Sequence, residues 1–479
     1  MPIYSATVAI PPNGGYEITL SPGSYKDYHN VKPEPVFATE ELLASAVYDR
    51  NAYSADQIYP HRLLEYSSPA IIRDFRVIQI TVNPVQWHAS TGELRVYDSM
   101  EININFTKGS SENELPAYNG YSKSFESIYE SLITNFDAYR DETLPLKHER
   151  VLLIHGNSTD ATFIQQLNQF VTWKRQKGFE MNVVSTSVAG TNTTQIKNYI
   201  TAQYNNIETR PDFIILLGDT NGSYAIPTFT ESWSSYGGKG DYPYTQVVGN
   251  DTLGDIFIGR ISAESLSQLT VLFSKIYAYE KNINNDATAA AWLNRMVLIG
   301  DPSSSGISTR YVNKYIKEIS LGVNPAYSYI ENYSGGFPST MNSAVNQGVA
   351  FFNYRGYIGM SGWSPSSSLV NGAKMPHATI LTCSTGNFEN GTATSEEFMR
   401  LGTTATPAGA ITAMGMSTSG THTMYNNVLA GGVYDGLMTH RMRTMGQAML
   451  NAKLYLYNTY STTNVTQANY FAHWCNLMG

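Results

Sequence analysis

The first hundred residues of the chain alternate hydrophobic and polar side chains with a period of two. The alternation is clearest at 77–82 and recurs at 94–97 and 102–106. This period is typical of strands that have one buried face. Turn-forming residues at 89–92 separate the first two runs, which we interpret as a hairpin. Residues 1–107 are therefore predicted to form a small, sandwich-like β domain.

The pattern breaks between residues 108 and 149. A polar stretch at 108–114 is followed by bulky side chains at helical spacing from 125 to 139. Arg140, Lys147 and Arg150 lie in or just beyond this stretch. Basic residues in an exposed connection are typical sites of proteolytic cleavage. We therefore interpret 108–149 as a linker or activation segment.

From residue 151 onward, short and wholly apolar runs replace the alternation. Such runs are typical of parallel strands buried on both faces, and helical stretches separate them. Two of the runs end in the same dipeptide, Gly218-Asp219 and Gly300-Asp301, which indicates two similar halves. We predict an α/β fold with a first half at 150–290 and a second half at 291–479. The predicted strands are 151–154, 181–184, 213–217, 296–300, 350–354, 379–383 and 410–414, and the predicted helices in the first half are 162–177 and 194–204.

Composition narrows the classes of function. With 31 Lys and Arg against 39 Asp and Glu the net charge is −8, and no basic run is present, so a nucleic acid is not expected as a partner. No apolar stretch approaches the ~18 residues that a membrane-spanning helix needs, so no membrane span is predicted. The first residues lack the basic and apolar parts of a signal peptide. If the protein is exported, as its weakly charged, polar composition suggests, the leader lies outside this sequence.

The chain has two cysteines, Cys383 and Cys475, which is too few for a disulfide framework. Cys383 ends an apolar run and is followed by a turn that contains Ser384 and Gly386. Reactive groups of open α/β sheets lie just beyond the carboxyl ends of strands, and the N–H groups of such a turn can form an oxyanion hole. We predict that Cys383 is a nucleophile; a buried structural thiol is the alternative.

A reactive thiol needs a base, and the sequence offers two histidines near the ends of predicted strands. His422 lies in the loop that follows the strand after Cys383, and His155 ends the first α/β strand. We take His422 as the first candidate and His155 as the second. The alternative for a histidine in a loop is a surface residue without a catalytic role.

Five stretches of the second region stand out in order along the chain. They are 244–264, Phe352-Asn-Tyr-Arg-Gly356, Cys383-Ser-Thr-Gly-Asn-Phe388, Ser395-Glu-Glu-Phe-Met-Arg400 and Pro407-Ala-Gly-Ala-Ile411. Together they resemble the gingipain-type cysteine peptidases, which belong to the caspase-like clan, and the resemblance covers roughly 151–479. The first hundred residues, notably Arg73-Asp-Phe-Arg-Val77, resemble the propeptide of that family.

The resemblance implies a caspase-like catalytic domain of two subdomains, a Cys–His dyad, and export to the cell surface or beyond. It also implies a propeptide that shields the site until it is cleaved. The nucleophile falls on Cys383, and a carboxylate that orients the base falls on Asp301. The dyad histidine does not match, because the family pattern Asn-Tyr-x-Gly-His-Gly reads Asn353-Tyr-Arg-Gly-Tyr-Ile358 here. Tyr357 therefore stands where the base is expected, and a phenol is a poor base at neutral pH.

Two explanations of Tyr357 compete. In the first, His422 replaces the missing base in a working peptidase, beside a pocket that Gly356 and Ser384 help to form. In the second, the dyad is lost and the chain is a surface protein that holds a peptide, or a sortase-like transpeptidase. We favour the peptidase, because Cys383 and its turn are intact.

The remaining predictions concern substrates and ions. The preference of the family for basic residues depends on an acidic pocket group, and none aligns here, so we make no prediction about an Arg or Lys preference. The expected partners are a peptide or protein substrate and the chain's own propeptide. No cofactor is expected to be required. Asp251 and Asp255 are candidate ligands of a structural calcium ion, with a solvated acidic turn as the alternative.

Overall fold

The computed structural model describes residues 1–34, 50–116, 120–145, 147–281, 289–389, 391–460 and 464–479. It contains an N-terminal β region, a short helical segment and an α/β region built on a ten-stranded sheet. No helix among these residues is long and apolar enough to cross a membrane.

The N-terminal region is a β-sandwich, as predicted. All eight residues of its central strand, β7, are buried. Ile78 and Ile80 pack against the sheet formed by β2 and β10, whereas Val77 on the other face joins the core of the α/β region. The strands are β1 (Tyr4–Ile10), β2 (Gly15–Pro22), β3 (Tyr25–Tyr28), β4 (Ile58–Tyr59), β5 (Leu64–Tyr66), β6 (Ala70–Ile72), β7 (Phe75–Val82), β8 (Val85–His88), β9 (Glu93–Tyr97) and β10 (Met100–Thr107), with helix α1 at Arg50–Ser54.

The predicted hairpin has a different first strand. Residues 94–97 lie in β9, whose hairpin partner across the 89–92 turn is β8, not the 77–82 run. The 77–82 run pairs instead with β1, β5 and β6. Pro84 explains the difference, because a proline without an N–H interrupts a strand and lets the chain change sheets.

The predicted linker is partly a folded element. A 3-10 turn at Lys123–Phe125, helix α2 at Glu126–Leu132 and a second 3-10 turn at Phe136–Ala138 occupy its middle. Phe125 is fully buried and stacks on Phe257 of the α/β region at 4.0 Å between ring centroids. This part is therefore anchored in the core, while residues 142, 143, 145, 147 and 148 are exposed and fit the cleavable connection that was predicted.

The predicted α/β pattern is confirmed. The large sheet has the order β12-β11-β13-β16-β22-β21-β20-β19-β17-β18. Its strands are β11 (Arg150–His155), β12 (Glu180–Ser185), β13 (Phe213–Leu217), β16 (Phe257–Ile261), β17 (Arg295–Gly300), β18 (Ser328–Asn332), β19 (Phe351–Arg355), β20 (His377–Ile380), β21 (Thr412–Met416) and β22 (Cys475–Met478), and a separate hairpin pairs β14 (Phe229–Trp233) with β15 (Tyr236–Gly240).

Helices flank this sheet, and two of them begin at a polar capping residue. Asp160 and Asn192 accept backbone N–H groups at the starts of α3 and α5, a common way to satisfy the first turn of a helix. The helices are α3 (Ala161–Gln176), α4 (Thr186–Ala189), α5 (Thr193–Asn205), α6 (Leu266–Lys281), α7 (Ser308–Val323), α8 (Phe337–Gln347), α9 (Thr394–Arg400), α10 (Thr423–Met438), α11 (Met445–Tyr460) and α12 (Val465–Trp474), with 3-10 turns at Gly222–Tyr224, Tyr242–Thr245 and Ala291–Asn294.

The two halves of the sheet run in opposite directions. The last strand of the chain, β22, joins them in the middle of the sheet. It is parallel to β16 of the first half and antiparallel to β21 of the second half. The carboxyl ends of the first-half strands therefore lie at one edge of the sheet. The carboxyl ends of the second-half strands lie at the opposite edge, together with the amino ends of the first half.

Candidate active site

Cys383 lies just beyond the carboxyl end of the second-half strand β20. That strand ends at Ile380, so the thiol sits three residues past it rather than on its last residue. The Cys383 carbonyl accepts the N–H of Gly359 at 3.3 Å, and Ile358 forms a parallel bridge with Cys383. The residue is 5% exposed. The thiol is thus held at an edge of the sheet, beside the loop that follows β19.

The turn after Cys383 has a constrained backbone. Ser384 adopts a left-handed conformation with φ of +60°, which is uncommon outside glycine. Gly386 lies so close to β21 that a Cβ there would come within 2.6 Å of the Gly415 backbone. The turn therefore depends on Gly386 for its close approach to β21.

The predicted oxyanion role of Ser384 is not supported by the geometry of this turn. The Ser384 N–H donates to the Thr418 carbonyl at 2.8 Å, and the Gly386 N–H donates to Met416 at 2.8 Å. The turn thus uses these donors to attach itself to β21 and the loop after it. Gly356 is tightly packed, since a Cβ there would lie 2.2 Å from the Tyr354 hydroxyl.

The hydrogen-bond partner of the thiol is a threonine that the sequence pattern did not single out. Cys383 Sγ lies 2.9 Å from Thr421 Oγ1. Thr421 precedes α10 by two residues, so the thiol sits near the amino end of a sixteen-residue helix. The positive end of a helix dipole favours a nearby negative charge such as a thiolate. Only the tertiary contact identifies Thr421, because the loop contains several similar hydroxyl residues.

Tyr357 is close to Cys383 through its backbone. Its carbonyl faces the Cys383 N–H at 3.4 Å, and its side chain is 59% exposed. The neighbouring Ile358 is 55% exposed. Two large side chains beside the thiol therefore face solvent, where they are available to contact a bound peptide.

His422 is the residue that caps the amino end of α10, next to Thr421. Its half-buried ring lies among aromatic rings, with centroids 6.2 Å from Trp233, 6.1 Å from Tyr425 and 5.7 Å from Phe471. Burial lowers the pKa of His422, which favours the neutral form that a base requires. The thiol is hydrogen-bonded to the residue beside His422, not to the imidazole.

Asp301 follows β17, two strands away from β20. Its Oδ1 accepts from the Ser303 hydroxyl at 2.6 Å, and its Oδ2 accepts from the Ser361 hydroxyl. Burial opposes ionisation, but these hydrogen bonds outweigh it and lower the pKa of Asp301. Because His422 follows β21 on the other side of β20, the prediction that Asp301 orients the base has no geometric support.

His155 is too far from the thiol to serve as its base. It ends β11, five strands from β20, or about 24 Å at the usual strand spacing. It also lies at the opposite edge, since the two halves of the sheet run in opposite directions. Its Nδ1 lies 2.8 Å from the Gly156 carbonyl oxygen, and its ring packs on Phe163. We therefore discard His155 as a candidate base.

Asp251 and Asp255 hold the N-terminal region instead of facing solvent. Asp251 accepts the N–H of Ile71 at 2.8 Å, and Asp255 accepts the N–H of Arg73 at 2.9 Å. Burial raises the pKa of Asp251 to about 6 and that of Asp255 to about 8. A calcium ion takes six to eight oxygen ligands, and no group of three or more His, Cys, Asp or Glu in the described residues could hold a metal ion. Calcium at this site stays a prediction.

The side chain of Arg73 forms hydrogen bonds that link the N-terminal region to the α/β region. Its guanidinium donates to Asp212 at 2.9 Å and to the Pro211 and Asp255 carbonyls at 2.9 and 2.8 Å. Its side chain is 4% exposed. A second set of contacts joins Gln79 and Ser67 to residues 457–458 at the end of α11. Both sets lie beside the edge of the sheet that carries Cys383.

The fold and the site together define a class of protein: an α/β domain with a thiol at a sheet edge, packed against its own N-terminal β domain. The family description "Peptidase family C25" matches residues 146–479, and "Propeptide_C25" matches residues 1–143. The chain therefore belongs to peptidase family C25 and includes the propeptide of that family.

Curated relatives come from Porphyromonas gingivalis. The chain is 26% identical to Gingipain R2 over 377 residues, which is 75% of this chain and 49% of that protein. It is 24% identical to Gingipain R1 over 407 residues (81% and 40%), and 28% identical to Lys-gingipain over 335 residues (67% and 18%). The aligned part of the chain thus spans half or less of the length of these relatives.

Solved structures confirm the predicted fold class. The crystal structure of the Arg-specific cysteine proteinase gingipain R matches with a TM-score of 0.60 at 20% identity, over 70% of this chain and 77% of that one. The complex of the RgpB pro- and mature domains of Porphyromonas gingivalis matches with a TM-score of 0.60 at 21% identity, over 69% and 78%.

Proposed function

We propose that this chain is the precursor of an exported cysteine endopeptidase in which Cys383 attacks the peptide carbonyl. The observation that carries the proposal is the position of Cys383: beyond a central strand, on a left-handed turn, and beside the amino end of α10. Membership of a peptidase family and the docked propeptide support it further. The substrate is a peptide or protein.

His422 is our candidate for the proton transfers. Its lowered pKa keeps it neutral at pH 7, so it can accept the thiol proton and later return it to the leaving amine. It lies one residue from Thr421, the partner of the thiol. Hydrogen bonds at catalytic sites often tighten only when substrate binds.

The propeptide is the expected regulator of this site. It contacts Tyr457 and Asn458, near Tyr460, whose ring lies 4.8 Å from Tyr425 beside His422. Cleavage in the exposed part of 139–149 would free it to leave. We place the mature enzyme at the cell surface or beyond, as the family resemblance implies.

A second candidate is an impaired relative that holds a peptide, or transfers its acyl group, without efficient hydrolysis. The observation in its favour is that Thr421, and not an imidazole, is hydrogen-bonded to the thiol. Exposed Tyr357 stands where the family pattern has histidine. Such a protein would retain the peptide cleft but lack a general base.

The test compares five variants of the chain, Tyr357→His among them, after release of the propeptide. Products from a mixed peptide library are read by mass spectrometry, with and without an added amine as acyl acceptor. We expect Cys383→Ala to abolish cleavage and His422→Ala to reduce it about 10²–10⁴-fold, the usual contribution of a general base. Tyr357→Phe and the distant control His155→Ala should leave it near the wild-type rate.

Three outcomes separate the alternatives. Cleavage that survives His422→Ala unchanged removes His422 from the mechanism. Amine-trapped products with little hydrolysis identify a transpeptidase. An inactive wild-type chain that gains hydrolysis on Tyr357→His identifies an impaired homologue, since only the base was then missing.

A further inference from the structure

Arg355 ends β19 and is completely buried close to the proposed nucleophile. Its guanidinium donates to the Leu381 carbonyl, to Asn427 Oδ1 at 2.9 Å and to the Thr423 carbonyl at 3.4 Å. All three acceptors are neutral. The side chain therefore links the chain just before Cys383 to the first turns of α10.

This arginine has no carboxylate partner within the described part of the chain. The other fully buried arginine of the α/β region, Arg260, pairs with Asp241 at 2.7 Å. Burying a cation without a counter-ion costs free energy. We therefore expect an opposite charge near Arg355 in a functional state of the protein. Burial lowers the pKa of Arg355 to about 10, so it stays protonated at neutral pH.

The hydrogen bonds of Arg355 and of Cys383 converge on the same short stretch of chain. Leu381, an acceptor for Arg355, lies two residues before the cysteine. Thr423, another acceptor, lies two residues after Thr421, whose hydroxyl contacts Cys383 Sγ. The buried positive charge and the sulfur thus share one environment at the start of α10.

We propose that Arg355 is a positioning residue whose charge stabilises the Cys383 thiolate, in place of the imidazolium that a dyad histidine at 357 would supply. The thiol proton passes to His422, the base of the proposed function, and the thiolate is then held between Thr421 and the charge of Arg355. Arg355 interacts electrostatically with Cys383. A nearby opposite charge commonly shifts a titration by about 1–3 pH units. A guanidinium is less strongly hydrated than an ammonium group, so it suits a buried site. The proposal rests on the proposed role of Cys383 as nucleophile, but it concerns the ionisation of the thiol, which is measurable without any substrate.

Other ionisable groups on the surrounding elements have different partners or positions. Asp301, after β17, is engaged by two serine hydroxyls. Glu389, in the chain after the cysteine turn, pairs with Lys239 of β15 at 2.7 Å. Tyr354, next to Arg355, is a buried phenol within hydrogen-bond distance of the Ser361 hydroxyl at 2.6 Å, and burial raises the pKa of Tyr354 to about 12. Exposed Tyr357 and half-buried His422 are the remaining groups near the thiol. Among these groups, only Arg355 and Lys239 carry a fixed positive charge at neutral pH, and Lys239 is paired.

The test measures the rate of iodoacetamide alkylation of Cys383 against pH in the full chain, with the modified peptide identified by mass spectrometry. Arg355→Met removes the charge, whereas Arg355→Lys keeps it. We expect the pH midpoint of alkylation to rise by about 1–3 units for the Met variant and to return most of the way for the Lys variant. Asn427→Leu, which removes only a neutral acceptor, should shift the midpoint by less than about 0.5 unit.

A purely structural role predicts a different pattern. If Lys and Met variants shift the midpoint equally, or if neither shifts it, the proposal is overturned. If Arg355→Met does not fold, Asn427→Asp serves as the test instead. This variant keeps the arginine but places a carboxylate against its Nε, which should neutralise its effect on the thiol. An unchanged pH midpoint of alkylation in Asn427→Asp also overturns the proposal. Failure of peptide hydrolysis with a normal alkylation profile would count against the proposed function instead.

Discussion

The contact made by Arg73 gives the sharpest quantitative prediction for how the propeptide is held. Arg73→Met removes a buried cation and three side-chain hydrogen bonds to the α/β region. Breaking a buried ion pair from one side usually costs about 3–5 kcal/mol. We expect a cost at the lower end of this range, because Asp212 would still accept hydrogen bonds from the Ser122 hydroxyl at 2.8 Å and from the Arg150 N–H at 3.0 Å. About 3 kcal/mol corresponds to a roughly 100-fold weaker docking equilibrium.

Amide hydrogen exchange measures this loss directly. The N–H groups of Ile71 and Arg73 donate to Asp251 and Asp255 across the interface, so their protection reports docking. We expect the peptide that covers 70–82 to exchange roughly 100-fold faster in Arg73→Met than in the wild type.

Arg95→Met is the matched control. Arg95 also lies in the propeptide, but it is partly exposed and pairs with Asp27 of the same region at 2.8 Å. Such pairs contribute about 0–1 kcal/mol, so exchange at 70–82 should stay near the wild-type rate. Equal acceleration by both variants, or less than about 3-fold acceleration by Arg73→Met, would refute the reasoning.

Two further predictions concern the turn after Cys383 and the buried histidine of α12. Gly386→Ala should lower the free energy of unfolding by more than about 2 kcal/mol and abolish specific alkylation of Cys383, because its Cβ meets the Gly415 backbone at 2.6 Å. Gly322 lies in an open position of α7, so Gly322→Ala should instead raise the free energy of unfolding by about 0.5–1 kcal/mol, as expected for a helical glycine. Similar losses of stability in the two variants would refute the argument. Burial lowers the pKa of His473 to about 3, below its ordinary value of 6.5. The unfolded chain therefore takes up a proton first on acidification, and this stabilisation is present above pH 6.5 and is lost as the pH falls toward 3. Denaturant unfolding at several pH values should show a smaller acid loss for His473→Gln than for the wild type, and equal losses would contradict the assignment.

Local patterns in the sequence predicted most of the elements correctly. The apolar runs of the α/β region and the helices at 161–176 and 193–205 need only side-chain periodicity, since their burial follows from it. The hairpin at 94–97 was assigned the wrong partner, because strand pairing depends on which sheet the chain joins after Pro84. The position of Cys383 near a strand end was likewise readable from the chain.

The tertiary structure decided which residues surround the thiol. The sequence by itself placed Cys383 at an edge of an α/β sheet and predicted, from the family resemblance, that Tyr357 stands where a histidine is expected. It could not show that the two halves of the sheet run in opposite directions, which separates His155 from the thiol and brings the propeptide contacts of Asp255 to the side of Cys383. Nor could it show that the Thr421 hydroxyl contacts the Cys383 sulfur, or that the charge of Arg355 is buried. These contacts join residues far apart along the chain, and periodicity carries information only about near neighbours.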